Sequence, residues 1–422
     1  MAKVLYFSVD LHGHVNPTLG LIHKLVESGE EVVYYASTPF QEKVEQTGAK
    51  FRSYEGTVGF ATHDGHGIDT FLVFADFILS RTEAVLARFY DEIAAWRPDY
   101  IIHDAFCYWG KVCAERLGVP AISLCANFPY IDEMADLDPD FFVEHVLRAS
   151  NDPLYQKFKG SSLLYRKLLD KMSMLISKKY GLMQVNVIND IFCSKQPLNL
   201  IFSSRFFQLH EEAFDDSYLF LGYPIFPRAE AVDFPFDRLD GRPLIYVAFG
   251  TIYNQLVDTY KACFEAFAHS DCQVIMSVGH QVALAELGQI PDNFIVRPYV
   301  PQLQILEHAN VFITHGGANS IYESIAHGVP MVVVPQVFDE FMGAMMVERV
   351  GAGLYVTDRE PTAVMLQQAV ERVLGDDCYR TNCLDVKRKF DEAGGLTTAV
   401  DRIFEYVNQF YDSEVHNGAL IP

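Results

Sequence analysis

Basic side chains are scarce in this chain: 33 Lys and Arg stand against 55 Asp and Glu, a formal charge of -22. That excess repels phosphate backbones and anionic lipid headgroups, which excludes general nucleic-acid binding and stable membrane association. A single phosphorylated small molecule is a separate case, because one helix N-terminus can hold it locally. Paired cysteines are also missing. The eight Cys are scattered, with no C-x-x-C pair, which excludes a zinc ribbon and a disulfide framework and leaves buried free thiols. No long apolar run opens the chain, since the first one ends at Asp10 after about seven residues, too short for a signal peptide or a span. A reduced, cytoplasmic enzyme is expected. Absent too are G-x-G-x-x-G in a first strand-to-helix turn and G-x-x-x-x-G-K-[ST] anywhere, so dinucleotide-dependent hydride transfer and P-loop chemistry are set aside.

Aromatics, in contrast, are plentiful: 32 Phe and 22 Tyr accompany only 2 Trp, more than packing usually needs. A large apolar pocket is expected. The length of 422 residues exceeds one ordinary core, and two domains of roughly 200 residues each follow.

The pattern along the chain is strand, helix, strand. "KVLYFSV" reads as a buried strand, "PTLGLIHKLVES" as a helix with Asn16 as N-cap, Pro17 at the first helical position and Gly29 as the stop, and "EEVVYYAS" as the next strand. "DYIIHDAF", "YWGKVCAERLG" and "VPAISLC" repeat the unit. Alternation of this kind predicts an α/β protein with parallel doubly wound sheets. Aromatic and Met-rich helical insertions lie between Gly56 and Ala95 and from Asn127 to about Gln196, and read either as a substrate-lining wall or as core-closing helices. A Pro-rich aperiodic stretch marks a linker at 222–243 between a first domain, 1–221, and a second, 244–395. "PLIYVAF", "CQVIMSV", "NFIVRPY", "NVFITH" and "PMVVVPQ" are the second domain's strands, and 396–422 is an amphipathic helix expected to return to the first domain.

The strongest local signal is "FITHGGANSIYESIAHGVPMVVVPQVFDEF". A strand ends, two glycines clear the backbone, and a helix begins near Ala318, so unpaired N–H groups and the positive dipole end form a phosphate site. His315 and Ser320 add donors. Glu323, three residues past Ser320 on the same helix face, can accept both hydroxyls of a ribose.

With "GHVNP", "AFGT", "YVPQLQIL", the HGG stretch and "PQVFDE" in this order, nearly the whole chain resembles the nucleotide-sugar-dependent glycosyltransferases of GT-B architecture. It is most similar to the bacterial macrolide and natural-product glycosyltransferases related to the UDP-glucuronosyltransferases. The resemblance implies two facing Rossmann-like domains, the first binding acceptor and the second UDP-sugar. It implies a diphosphate contact at Thr251, a base-holding loop at Tyr299, Val300 and Gln302, diphosphate and ribose contacts at His315, Gly317, Asn319, Ser320 and Glu323, and contacts to the donor sugar from Asp339 and Glu340. Departures occur at Tyr299, where Trp is usual, at Glu340, where Gln is common, and at Gly343, where Asn is common.

The same resemblance makes the histidine of the first turn the general base, and His14 matches it better than His12. An imidazole with its ordinary pKa near ~6.5 accepts a proton at neutral pH. The imidazolium then needs a carboxylate, and Asp104, ending its strand at the same sheet edge, fits that partner unless it merely caps the following helix. A metal site from His12, His14 and His103 is discounted, because His103 and Asp104 alternate to opposite faces of a strand. The expected activity is inverting, metal-independent transfer of a hexose, glucose by preference, from a UDP-sugar to a hydroxyl of an apolar small molecule. The rivals are a nucleotide-sugar epimerase, a phosphorylase of the same architecture, and a non-catalytic sugar-nucleotide-binding accessory protein.

Overall fold

The computed structural model describes residues 1–54, 68–183, 185–223, 225–226, 233–251 and 254–416. The start of the first aromatic insertion, several linker residues and the last six residues lie outside them. The chain forms two compact units, Met1–Phe226 with Asp391–Pro422, and Pro227–Phe390.

In the first unit seven parallel strands, β1 (Lys3–Phe7), β2 (Glu31–Ala36), β3 (Lys50–Ser53), β4 (Tyr100–Asp104), β5 (Ala121–Cys125), β6 (Leu198–Ile201) and β7 (Tyr218–Phe220), lie in the order β3-β2-β1-β4-β5-β6-β7. β1 shows why its sequence is apolar throughout. Val4 and Tyr6 face one core with Leu19, Ile22 and Leu25 of the helix His12–Glu27, while Leu5 and Phe7 face another with Val85, Phe89 and Ile93 of the helix Ile68–Trp96. Both faces of the sheet are covered, as a parallel sheet requires. Each fully buried Leu, Ile, Val or Phe contributes about 1.5–3 kcal/mol. The helix Gly395–His416 supplies Ala399, Val400, Ile403 and Val407 to the first of these cores.

The insertions build a third cluster of their own, in which Phe71, Ile78, Phe142, Tyr165, Met172 and Ile188 are buried. "DPDFFVEHVL" is not one helix there: a short turn, Pro139–Phe141, passes into a π-helical turn, Phe142–Val146, with the Asp138 side chain capping Phe141 N–H at 3.1 Å.

The first helix corrects the sequence reading. It starts at His12 after Leu11, so Asn16 is no cap and Pro17 lies inside. The backbone N–H groups of His14 and Val15 both bond to the Leu11 carbonyl at 3.0 Å, which winds the first turn five residues early. Asn16 instead accepts from Lys43 Nζ at 3.2 Å. His14 therefore rides on a helix rather than a loop.

The second unit has six parallel strands, β8 (Leu244–Ala248), β9 (Gln273–Ser277), β10 (Phe294–Arg297), β11 (Val311–Thr314), β12 (Met331–Val333) and β13 (Gly353–Tyr355), in the order β10-β9-β8-β11-β12-β13. In each sheet successive strands run outward in opposite directions from one central pair, β1 and β4 in the first unit and β8 and β11 in the second. Such switch points, at the carboxyl ends of the strands, are where open α/β sheets bind ligands.

All eight cysteines are free thiols, and burial pushes Cys113, Cys193, Cys263 and Cys383 up to about 12. Cys378 departs from the expectation of burial and is exposed. Among the described residues no helix is long and apolar enough to cross a membrane.

Candidate active site

At the first switch point the register sets Phe7, the last residue of β1, beside His103 of β4, so the turn after β1 and Asp104 share one sheet edge. His14 Nδ1 lies 2.6 Å from Asp104 Oδ2, with both side chains buried. Because a carboxylate only accepts, Nδ1 carries the proton and Nε2 is the basic nitrogen of the ring. The other oxygen of Asp104 accepts from Phe106 N–H at 2.9 Å, which fixes the carboxylate plane. Asp104 does not cap the following helix, Tyr108–Leu117, whose N-cap is Cys107 without a side-chain bond.

The neighbouring His103 has a different occupation. Its Nδ1 donates to the Asp104 carbonyl at 3.0 Å, so Nε2 accepts from the Gln196 amide at 3.1 Å. Burial holds it down at about 4, and it is neutral. His12 packs edge-on against Phe40. The three histidines therefore do not converge.

From His14 a series of rings leads away. Phe106 lies 5.3 Å from the His14 ring, Phe74 lies 5.6 Å from Phe106, and Phe192 lies 5.1 Å from Phe74. All three phenylalanines are only part-buried, whereas Phe71 and Phe142 behind them are core. The aromatic excess thus includes part-buried rings that run from His14 as well as fully buried core rings.

A buried cation supports the turn that carries His14. Arg81, 2% exposed, pairs with Asp10, and its guanidinium lies 4.9 Å from the Tyr54 ring and 5.1 Å from the Trp109 ring. Sequence reasoning missed it, because a lone Arg on an amphipathic helix reads as a solvated residue.

At the second switch point Thr314 pairs with Ala248, so the turn 315–317 and the loop holding Thr251 leave adjacent strand ends. Gly316 has φ +92, and a Cβ there would stand 2.6 Å from Val333 Cγ1 and 3.0 Å from the Glu340 carbonyl oxygen. Only glycine fits. A Cβ on Gly317 would stand 2.5 Å from His315 Nε2, so the second glycine keeps that nitrogen uncovered by its own turn. The helix Ala318–Ala326 follows with Gly317 as N-cap and no side-chain cap bond, so the positive end of its dipole lies at this turn. Asn319 and Ser320 lie part-exposed in its first turn, and Thr251 is exposed on its loop. Asn254, unnoticed in the sequence, donates to the Gly250 carbonyl at 3.0 Å and braces that loop.

Glu323, 2% exposed, accepts from Gln302 Nε2 at 2.7 Å, and Gln302 Oε1 accepts from the Tyr246 hydroxyl at 3.0 Å. Two sequence candidates are thus joined, with Tyr246 as an unforeseen third member. Val300 is buried beside the part-exposed Tyr299. Asp339 begins the helix Asp339–Arg349, part-exposed. Glu340 turns inward: it is 6% exposed, and its Oε2 accepts from the N–H groups of Gln336 at 2.7 Å and Val337 at 3.0 Å. That clasp closes a tight turn in which Phe338 has φ +41, a strained value for a residue with a side chain.

Known proteins resemble the chain in sequence and fold. Residues 261–393 match the family model described as Erythromycin biosynthesis protein CIII-like, C-terminal domain. Over 97% of this chain and 98% of the relative, the sequence is 33% identical to "Uncharacterized UDP-glucosyltransferase YojK" of Bacillus subtilis (strain 168). It is 29% identical to the oleandomycin glycosyltransferase of Streptomyces antibioticus, over 95% and 90% of the two chains. The solved glycosyltransferase of kitacinnamycin superimposes with a TM-score of 0.73 at 26% identity, covering 95% of this chain and 98% of that one. The chain therefore belongs to the bacterial nucleotide-sugar glycosyltransferases of the macrolide, EryCIII-like family, GT-B proteins that move a sugar from a nucleoside-diphosphate sugar onto small-molecule acceptors.

Proposed function

We propose that the protein is an inverting glycosyltransferase in which His14 removes the proton from a hydroxyl of an apolar, ring-bearing acceptor and the resulting oxygen attacks the anomeric carbon of a UDP-hexose, preferably UDP-glucose. The observation that carries this reading is the 2.6 Å bond from His14 Nδ1 to a buried carboxylate at the switch point of the sheet. It leaves Nε2 as the base and places a charge where the imidazolium forms. A non-catalytic nucleotide-sugar binder has no use for such a pair.

The acceptor lies on the wall of Phe106, Phe74 and Phe192, whose part-exposed rings favour a flat apolar molecule such as a flavonoid, macrolide or terpenoid. The nucleoside diphosphate lies on the turn 315–317 and the helix beginning at Ala318, with Thr251, His315, Asn319 and Ser320 as donors and Glu323, held by Gln302, facing the ribose. Tyr299 and Val300 belong to the loop that holds the base. Charge developing on the leaving diphosphate is met by those donors and the helix dipole, so the chemistry itself asks for no metal ion. Attack opposite the leaving group converts an α-linked donor into a β-glycoside. Asp339, part-exposed at its helix start, reads the sugar hydroxyls. UDP-glucose relatives support this donor, among them the Bacillus subtilis protein at 33% identity.

The test is incubation with UDP-glucose and a panel of phenols, flavonoids, macrolides and terpenoids, followed by mass spectrometry. A hexose mass added to an acceptor, lost in His14→Ala, supports the reading. Free glucose release with no acceptor product would overturn it.

A further inference from the structure

The helix Ser162–Tyr180 reverses the charge of the chain locally. From Pro153 to Met183 seven Lys and Arg stand against one acidic residue, Asp170, in a protein whose formal charge is -22. At 3.6 residues per turn, Leu163, Lys167, Lys171, Met174 and Lys178 fall within an arc of about 80°, a stripe about 22 Å long. All five are exposed, Leu163 at 57% and Met174 at 62%. The opposite face is buried, with Tyr165, Leu169, Met172 and Ile176 entering the third core beside Phe71 and Phe142.

The basic residues of this helix divide by position. Arg166 pairs with Asp132 at 2.5 Å and Asp136 at 2.7 Å, and Lys179 pairs with Asp76 of the helix Ile68–Trp96. Those two tie the helix to its neighbours. Lys167, Lys171 and Lys178 stand out in solvent with Leu163 and Met174, and Asp170 lies at the margin of the arc. Leu175 and Met183, both exposed, extend the apolar surface at its end.

The composition of the arc selects its partner. It holds Lys, Met and Leu, with neither Arg nor an aromatic ring. Protein interfaces are anchored by Tyr, Trp and Arg and are poor in Lys, and nucleic-acid surfaces use Arg and stacking rings. A lipid headgroup layer asks for what the arc has: ammonium groups on long stems that reach phosphates, and apolar side chains between them that enter the acyl boundary. The acidic remainder of the protein does not cancel this attraction, because charges further away than about 8 Å are screened at physiological ionic strength.

We infer that this stripe seats the protein on an anionic lipid bilayer, with the helix lying along the surface. The overall acidity keeps the seat reversible. On the acceptor reading above, the cluster behind the helix includes Phe74 and Phe192 of the proposed acceptor wall, so an apolar acceptor dissolved in the bilayer is taken from the surface on which the protein rests. The docking itself does not depend on that reading.

The test is co-sedimentation of the full chain with vesicles of phosphatidylcholine alone and of phosphatidylcholine with an equal part of phosphatidylglycerol, at about 50 mM and about 500 mM salt. Binding is expected to the phosphatidylglycerol vesicles only, and should fall at least roughly tenfold at the higher salt. The triple variant Lys167→Gln, Lys171→Gln, Lys178→Gln should bind on the order of a hundredfold more weakly, since each Lys at an anionic surface is worth about fivefold. Leu163→Ser together with Met174→Ser should bind several-fold more weakly, which a purely ionic contact would not show. No binding of the parent to the phosphatidylglycerol vesicles overturns the inference, and so does unweakened binding by either variant. Retention of the parent on immobilised polyglutamate without vesicle binding assigns the stripe to an acidic protein and equally overturns it. None of these outcomes touches the transfer reading, which is measured by product formation.

Discussion

Asp104 has one oxygen on His14 and the other on the backbone of Phe106. An amide in its place meets both partners with one carbonyl oxygen, so Asp104→Asn either releases the backbone or presents NH2 to His14 Nδ1 and moves the imidazole proton to Nε2. Turnover should fall on the order of 10²–10⁴-fold in Asp104→Asn and in His14→Ala, with UDP affinity kept, as read by initial rates beside calorimetry. Glu323 presents a parallel case. Glu323→Ala should weaken UDP by about 1.5–3 kcal/mol, and Gln302→Ala, which removes the group that orients it, should reproduce part of that loss in the same titration.

Among the elements, those with long apolar strands and glycine stops were legible in the sequence: β1, β2, β4, β5 and the strands from β8 to β12 fall where runs such as "KVLYFSV" and "NVFITH" place them. β3, β6, β7 and β13 were not: each has only three or four residues and lies in no apolar run as plain as those around β10, β11 and β12, and "KFRS" and "GLY" show no strand pattern of their own. The helix start at His12 was hidden for another reason: Asn16 and Pro17 imitate a cap while the real first turn is closed by the Leu11 carbonyl. In the site, residues set by motif spacing were legible, but hydrogen bonds between distant segments, such as Tyr246 to Gln302 and Arg81 to Asp10, follow from tertiary packing alone. The HGG turn yields its own test. Gly316→Ala must relieve contacts of 2.6 Å and 3.0 Å at a positive φ, and should destabilise the second unit by about 1–3 kcal/mol in denaturant melts while weakening UDP.

Across the molecule, both units contain a histidine that burial keeps neutral, His103 in the first and His315 in the second, each held down at about 4. Between that value and the ordinary ~6.5 the unfolded chain binds protons that the folded chain refuses, so stability rises with pH in this window and is lost as pH falls through it, by up to roughly 3 kcal/mol per histidine. Melting temperatures measured from pH 7 to pH 4 should fall, and Gln196→Ala should not abolish the fall, since burial rather than that bond is its first cause. The helix Gly395–His416 contributes in a different way. Ile403, fully buried in the first core, should cost about 2–5 kcal/mol when changed to Ala, read as a lower denaturation midpoint. Its position in the chain also bears on synthesis. All of Pro227–Phe390 emerges from the ribosome before the segment that completes the first unit. The part made first is thus finished last: the nascent first unit keeps the seat of Val400 and Ile403 open while the second closes its sheet, and translation that stops near Phe390 leaves a sticky product for chaperones or proteases.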